Sequence, residues 1–219
     1  MIQTVIFDMD GVIVDTEPVH YYAYQQHFKE LGIEVSDQMY STFTGNSTRN
    51  VFQKLKAQFG LTAQVENLID RKRTLFNEAF DSKEDLCLLD GVEALIQDLH
   101  RNGMQLILAS SSAKVTIDRI FRRFDLHQYF THIVSGEDFP RSKPDPAIFK
   151  RAAELSNHPT ENCIVIEDST NGIKAAKDAG LYCIGYDSEN SKMQDLEEAD
   201  QIIKHFDALN FNIIKNIGN

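Results

Sequence analysis

The stretch Val5-Ile6-Phe7-Asp8-Met9-Asp10-Gly11 reads as a buried strand that runs into two carboxylates and a glycine. Valine, isoleucine and phenylalanine favour pleated backbone, and side chains two apart on such backbone point the same way. Asp8 and Asp10 therefore share a side. Two like charges held this close disfavour each other unless a cation or a proton intervenes, so the pair invites a divalent metal or one protonated member. Gly11 lets the backbone approach a ligand closely.

The same arrangement recurs where Ile164-Val165-Ile166 runs into Glu167-Asp168, followed by Ser169-Thr170-Asn171-Gly172 at the start of a helix. Either pair taken singly also fits a solvated turn or an acidic helix start. Two matching placements argue for a shared site at one edge of a parallel sheet, where hard oxygen ligands and water suit Mg²⁺.

Outward from these motifs, short apolar runs alternate with amphipathic helical patterns, the form of βα units on a parallel sheet buried on both faces. The other strands are Leu106-Ile107-Leu108-Ala109, Ile133-Val134 and Cys183-Ile184-Gly185-Tyr186, with Gln201-Ile202-Ile203 as a weaker sixth. Val92, Leu95, Ile96 and Leu99 form one helical stripe, closed by Gly103. Ile117, Ile120, Phe121 and Phe124 form a second, and Ile173 to Ala179 before Gly180 a third. The fold class expected is α/β, a Rossmann-like doubly wound parallel sheet.

Residues 15–85 break the alternation, with helical segments and no strand. Thr16 or Asp15 is placed to cap a helix with Pro18 in its first turn, ending at Gly32; further helices are expected over 49–59 and 63–80. An insert after the first strand projects from the carboxyl ends of the sheet, where ligands of open α/β folds bind. The domain reading is a core of 1–14 and 86–219 with a helical lid of 15–85.

Two more strand ends offer groups that phosphate requires. Leu108-Ala109 runs into Ser110-Ser111-Ser112, whose hydroxyls and amides lie near a helix start. Lys143 stands in Ser142-Lys143-Pro144-Asp145-Pro146, between prolines that hold its loop.

The 219 residues are 42% hydrophobic and 25% charged, ordinary for a globular chain, and the net charge of -11 repels nucleic acids and anionic membranes. Cys87, Cys163 and Cys183 give no disulfide framework and are expected reduced and buried. No signal peptide or spanning segment is read, so a cytoplasmic location is expected. A monomer is the expected state, with a dimer as the alternative.

In this order Asp8-x-Asp10-Gly11, Ser110, Lys143-Pro144 and Glu167-Asp168 resemble the motifs of the haloacid dehalogenase superfamily, over nearly the whole chain. The insert, with Asp15-Thr16-Glu17-Pro18-Val19-His20 and Val134-Ser135-Gly136-Glu137-Asp138, resembles the subfamily of β-phosphoglucomutase and sugar-phosphate phosphatases. The resemblance implies that Asp8 attacks phosphorus and that Asp10 acts as general acid and then base. It further implies that Ser110 and Lys143 hold the phosphoryl oxygens, and that Asp8, Asp168 and the Asp10 carbonyl bind Mg²⁺ with Glu167 close by. The expected substrate is a small phosphorylated metabolite.

Phosphatase is ranked ahead of phosphomutase. His20 and Lys72 fall where the mutase carries a hinge histidine and a lid lysine, although Lys72 in Arg71-Lys72-Arg73 also fits a solvated helix face. After Gly45, Thr48 takes the place of the mutase's phosphate-binding arginine and Arg49 comes one residue late, about 100° around a helix. Lys114 replaces the mutase asparagine beyond Ser111. A dehalogenase, which needs neither Asp10 nor the second acidic pair, and a non-catalytic binding module are the remote alternatives.

Overall fold

The apolar runs assemble into one parallel sheet in the computed structural model, which describes residues 1–188 and 192–218. Its strands are β1 (Thr4–Phe7), β2 (Gln105–Ser110), β3 (His132–Ser135), β4 (Cys163–Glu167), β5 (Tyr182–Tyr186) and β6 (Gln201–Ile203). They lie in the order β3-β2-β1-β4-β5-β6. The weakest run, Gln201–Ile203, does pair beside β5.

Alternation along each strand divides the core. Val5, Phe7, Leu106, Leu108, Ile164 and Ile166 enter one apolar cluster, while Ile6, Ile107, Ala109, Cys163 and Val165 enter another. Helices α5 (Val92–Arg101) and α6 (Lys114–Arg123) cover the first face through the expected stripes; α7 (Ala147–Ser156) and α8 (Thr170–Asp178) cover the second. A short α9 (Phe211–Lys215) adds Ile214 to the first cluster. The sheet is thus doubly wound.

Between β1 and β2 lie α1 (Glu17–Leu31), α2 (Asp37–Ser41), α3 (Thr48–Phe59) and α4 (Val65–Ser82). Tyr24, Phe28, Phe43, Phe52, Leu55 and Leu68 give this insert its own apolar cluster. The ends of α1 and α4 nearest the sheet instead join the core, through Val19, Ala23, Leu75, Phe76 and Phe80.

Three local expectations are corrected. Helices α7 and α2 are not expected from the sequence: the first follows two prolines and packs partly through Ala152 and Ala153, and the second buries no residue, so neither shows a strong stripe. Thr16 holds the cap position of α1 without capping it, because its hydroxyl donates to Asp10. Cys163 and Cys183 are buried, but Cys87 is exposed, and all three are free. Among the described residues no helix is long and apolar enough to cross a membrane.

Candidate active site

Register brings the acids together. β1 lies between β2 and β4, with Phe7 opposite both Leu108 and Ile166. Asp8 and the pair Glu167 and Asp168 therefore leave adjacent strands at one height, with Ser110 to Ser112 leaving β2 on the other side. The chain turns outward in both directions from β1, and this is where open α/β sheets leave a crevice.

Lys143 enters from the loop before α7 and is wholly buried. Its Nζ stands 2.5 Å from Asp8 Oδ1, 2.7 Å from Glu167 Oε1 and 3.2 Å from the Ala109 carbonyl. Burial alone would lower this ammonium, but the carboxylates of Asp8 and Glu167 reverse the effect and raise it above its ordinary value. Lys143 stays charged. Glu167 Oε2 accepts the amides of Asp168 and Ser169, each at 2.9 Å, and the Ser169 hydroxyl at 3.0 Å. Both Glu167 oxygens are thus taken by protein donors, and its geometry suits a bracket for Lys143 better than the metal ligand proposed from sequence.

Asp168 differs in leaving one oxygen without such a donor. Asp168 Oδ2 is buried with no hydrogen-bond partner, and burial together with Glu167 and Asp8 pushes this carboxyl well up. Burial likewise raises Asp8 to about 7 against the pull of Lys143, with Glu167 and Asp10 adding repulsion. A Cβ on Gly11 would lie 2.2 Å from Asp168 Oδ2, so the glycine is what admits this carboxylate beside the end of β1. An unpartnered buried oxygen beside a second raised carboxyl fits a cation. Among the described residues no three His, Cys, Asp or Glu side chains form a metal cage. Two carboxylates and a main-chain carbonyl would leave the other positions to water and phosphate oxygens, as Mg²⁺ prefers.

Asp10 turns toward the insert. Its Oδ1 accepts the Thr16 hydroxyl and His20 Nε2, the latter at 3.2 Å, and its Oδ2 accepts the Ser112 hydroxyl at 2.7 Å. Burial opposes ionisation here, but His20 and the two hydroxyls overcome it and hold Asp10 at about 2. His20 Nδ1 faces Lys72 Nζ at 2.6 Å, which assigns the neutral tautomer with its proton on Nε2. Burial and then the Lys72 charge lower His20. Lys72 is not solvated: it is 3% exposed, lies 4.6 Å from the Tyr24 ring, and is lowered by burial to about 8.

Asp8, Asp10, His20, Gly45, Lys72, Ser111, Ser112 and Asp168 line an inner cavity of about 50 Å³. A volume of this size holds about three to five waters, the scale of a phosphoryl group. His20, Thr48, Lys72, Ser111 and Ser112 also line a neighbouring outer cavity of about 350 Å³, whose wall includes Arg49, Glu66, Asp70, Arg73, Phe76 and Glu137.

The other expected residues divide. Ser111 donates to the Gly45 carbonyl at 2.7 Å. Ser110 ends β2 fully buried and its hydroxyl oxygen accepts the Ser112 amide at 3.0 Å; it is absent from both cavity walls. Arg49 reaches the outer cavity but pairs with Glu66 at 2.8 Å. Lys114 lines neither cavity and pairs with Asp138 at 2.6 Å, so it is corrected as a phosphate ligand. Thr16 and Glu17 are not among the site residues expected from sequence, and Ser112 is expected only as part of an anion site with Ser110 and Ser111, not as a donor to Asp10. Thr16 read as a cap and Ser112 as one hydroxyl of three. Glu17, raised by burial to about 8 in the inner wall, carried no signal beyond its place in the Asp15-to-His20 string.

The family model for haloacid dehalogenase-like hydrolases matches residues 5–186. The phosphorylated carbohydrates phosphatase of Thermotoga maritima is 32% identical, over 82% of this chain and 82% of that protein. The β-phosphoglucomutase of Bacillus subtilis is 30% identical, over 84% and 82%. Among solved structures, a β-phosphoglucomutase from Clostridium difficile superposes with a TM-score of 0.85 at 27% identity, over 98% of this chain and 96% of that one. With the strand-end acids, lysine and sheet order in place, the conclusion is that this chain belongs to the haloacid dehalogenase-like hydrolase family.

Proposed function

We propose that this hydrolase is a Mg²⁺-dependent phosphatase of a small phosphorylated metabolite, a sugar monophosphate, acting through an aspartyl-phosphate on Asp8. The observation that carries the reading is Asp8 in the wall of a phosphate-sized cavity, bonded on one side to buried Lys143 and flanked by the unpartnered Asp168 oxygen. Asp8, Asp168 and the Asp10 carbonyl would hold Mg²⁺, which when bound neutralises phosphoryl oxygens and keeps Asp8 ionised.

An Asp8 oxygen attacks phosphorus, and the leaving sugar oxygen takes a proton from Asp10. Water then attacks phosphorus, the Asp8–phosphorus bond breaks to return the carboxylate and release phosphate, and Asp10 takes the proton of the water. The ionised Asp10, held at about 2, is the form needed for the water step. In the first step the same carboxyl acts in its protonated form, donating to the leaving oxygen. Helices α1 to α4 serve as the lid of the proposed division at residues 15–85.

The mutase reading draws on the β-phosphoglucomutase relatives and on buried Lys72. Against it, a retained second phosphate needs free cations in the outer cavity, and Arg49 and Arg73 face Glu66 and Glu137 there. The deciding test is a sugar-phosphate panel with Mg²⁺, scored for free phosphate and for conversion of β-glucose 1-phosphate to glucose 6-phosphate with bisphosphate primer. Phosphate release is expected to dominate, and isomerisation outpacing it reverses the ranking. Asp8→Asn and Asp10→Asn are each expected to abolish turnover with the fold intact. Phosphate release undiminished in Asp8→Asn removes the nucleophile, and no turnover on any phosphoester favours a binding module.

A further inference from the structure

The segment 41–50, from the end of α2 into the first turn of α3, receives hydrogen bonds from four places on the core. Gln194 Nε2 donates to the Ser41 carbonyl at 3.1 Å, Asn171 Nδ2 to that of Thr44 at 2.8 Å, and Ser111 Oγ to that of Gly45 at 2.7 Å. The approach is close: a Cβ on Gly45 would meet Ser169 Oγ at 2.6 Å. Those three bonds end on main-chain carbonyls, which any residue would present.

The fourth anchor is made of side chains alone. Asn50 Nδ2 donates to Ser142 Oγ at 2.7 Å, and Ser142 Oγ donates to Asn46 Oδ1 at 3.0 Å. Ser142 is 8% exposed, so its hydroxyl is both donor and acceptor in a nearly dry position, where an unmade bond is costly. Asn50 is itself held by the cap of α3, since its amide donates to Ser47 Oγ at 3.3 Å. Ser142 immediately precedes Lys143, and one trans peptide fixes the next Cα at about 3.8 Å. The Ser142 carbonyl accepts the Asp145 amide at 3.0 Å, which ties the loop around Lys143.

From these contacts we infer that Asn50, with Asn46, clasps Ser142 and so makes docking of the helical insert set the position of Lys143. Asn50 and Ser142 line neither cavity. They are positioning residues: they act through Lys143 on Asp8, and the ammonium is fully seated only when the insert lies on the core. The inference rests on the proposed phosphatase site for its kinetic consequence and on the hydrogen bonds alone for the clasp.

The test combines amide hydrogen exchange on residues 41–50 of the full chain with steady-state kinetics on the best sugar phosphate of the panel. Ser142→Ala and Asn50→Ala are each expected to speed exchange of the segment about tenfold, the equivalent of one hydrogen bond, and to lower kcat by about as much. The double variant is expected to be no worse than either single one, and Ser142→Thr, which keeps the hydroxyl, to restore both readouts. Unchanged exchange in Ser142→Ala, or additive losses in the double variant, overturns the clasp. Faster exchange with kcat intact and only KM raised overturns the coupling to Lys143. Exchange needs no substrate, so a wrong assignment of the reaction leaves that arm standing.

Discussion

Glu167 lies over the first turn of α8 so closely that a Cβ on Gly172 would stand 1.8 Å from its Oε1, the oxygen that also accepts Lys143 Nζ. An alanine in a helix is ordinarily worth about 0.5–1 kcal/mol over glycine. Here the sign is expected to reverse. Gly172→Ala should cost about 1–3 kcal/mol through overpacking and should lower kcat as Glu167 and then Lys143 shift. Denaturant unfolding beside kcat checks this; a stabilised variant of full activity would mean that Glu167 is free to move away.

The unpartnered Asp168 oxygen predicts a cation effect that does not depend on turnover. Chelation is expected to silence the enzyme and Mg²⁺ to restore it. At about a hundredfold excess over its Kd, Mg²⁺ should stabilise the fold by about 2.7 kcal/mol. Asp168→Asn should remove most of that increment, measured as the Mg²⁺-dependent shift of the melting temperature. An increment that survives the substitution would place the ion elsewhere.

Lys72 predicts a pH dependence. Asp10, Glu17 and His20 face it from the end of β1 and from α1, Tyr24 covers it, and Arg73 adjoins it on α4. Burial lowers its ammonium from 10.5 to about 8 despite the pull of Asp10 and Glu17. Between these values the unfolded chain binds the proton and the folded chain does not, so the penalty for burying the charge fades as pH rises. Relative to Lys72→Met, the wild type should gain about 2 kcal/mol between about pH 7.5 and pH 10. A difference that stays flat in paired unfolding titrations would show that Lys72 is not desolvated.

The outer cavity predicts selectivity. Arg49 pairs with Glu66 at 2.8 Å and Arg73 with Glu137 at 3.2 Å, and Asp70 adds a further negative charge. Half-exposed pairs of this kind contribute about 0–1 kcal/mol to stability, but their carboxylates oppose a second phosphate. Glu66→Gln and Glu137→Gln together should raise kcat/KM for a sugar bisphosphate relative to its monophosphate by about tenfold, with little change in melting temperature. An unchanged ratio would remove these residues from substrate choice.

The sequence was informative wherever a signal is local. Alternating apolar runs gave six strands, down to Gln201–Ile203, because burial on both faces imposes apolar composition directly on the chain. Strand-end acids on β1 and β4 implied convergence, because parallel strands in one sheet end at one edge. Local signals failed at α2, which buries nothing, and at α7, where alanines and flanking prolines mask the stripe.

What the sequence alone determined is the sheet and the candidates for its site: Asp8, Asp10 and Asp168 by their place after apolar runs, and Lys143 by its place in a proline-held loop. Tertiary structure decided the partners. It gave Glu167 to Lys143, the Thr16 and Ser112 hydroxyls to Asp10, Lys72 to His20, and Lys114 to Asp138, outside the cavities. The reason is physical: hydrogen-bond partners and desolvation depend on distances between segments far apart in the chain, 102 residues for Ser112 and Asp10 and 135 for Lys143 and Asp8, and no local pattern records those distances.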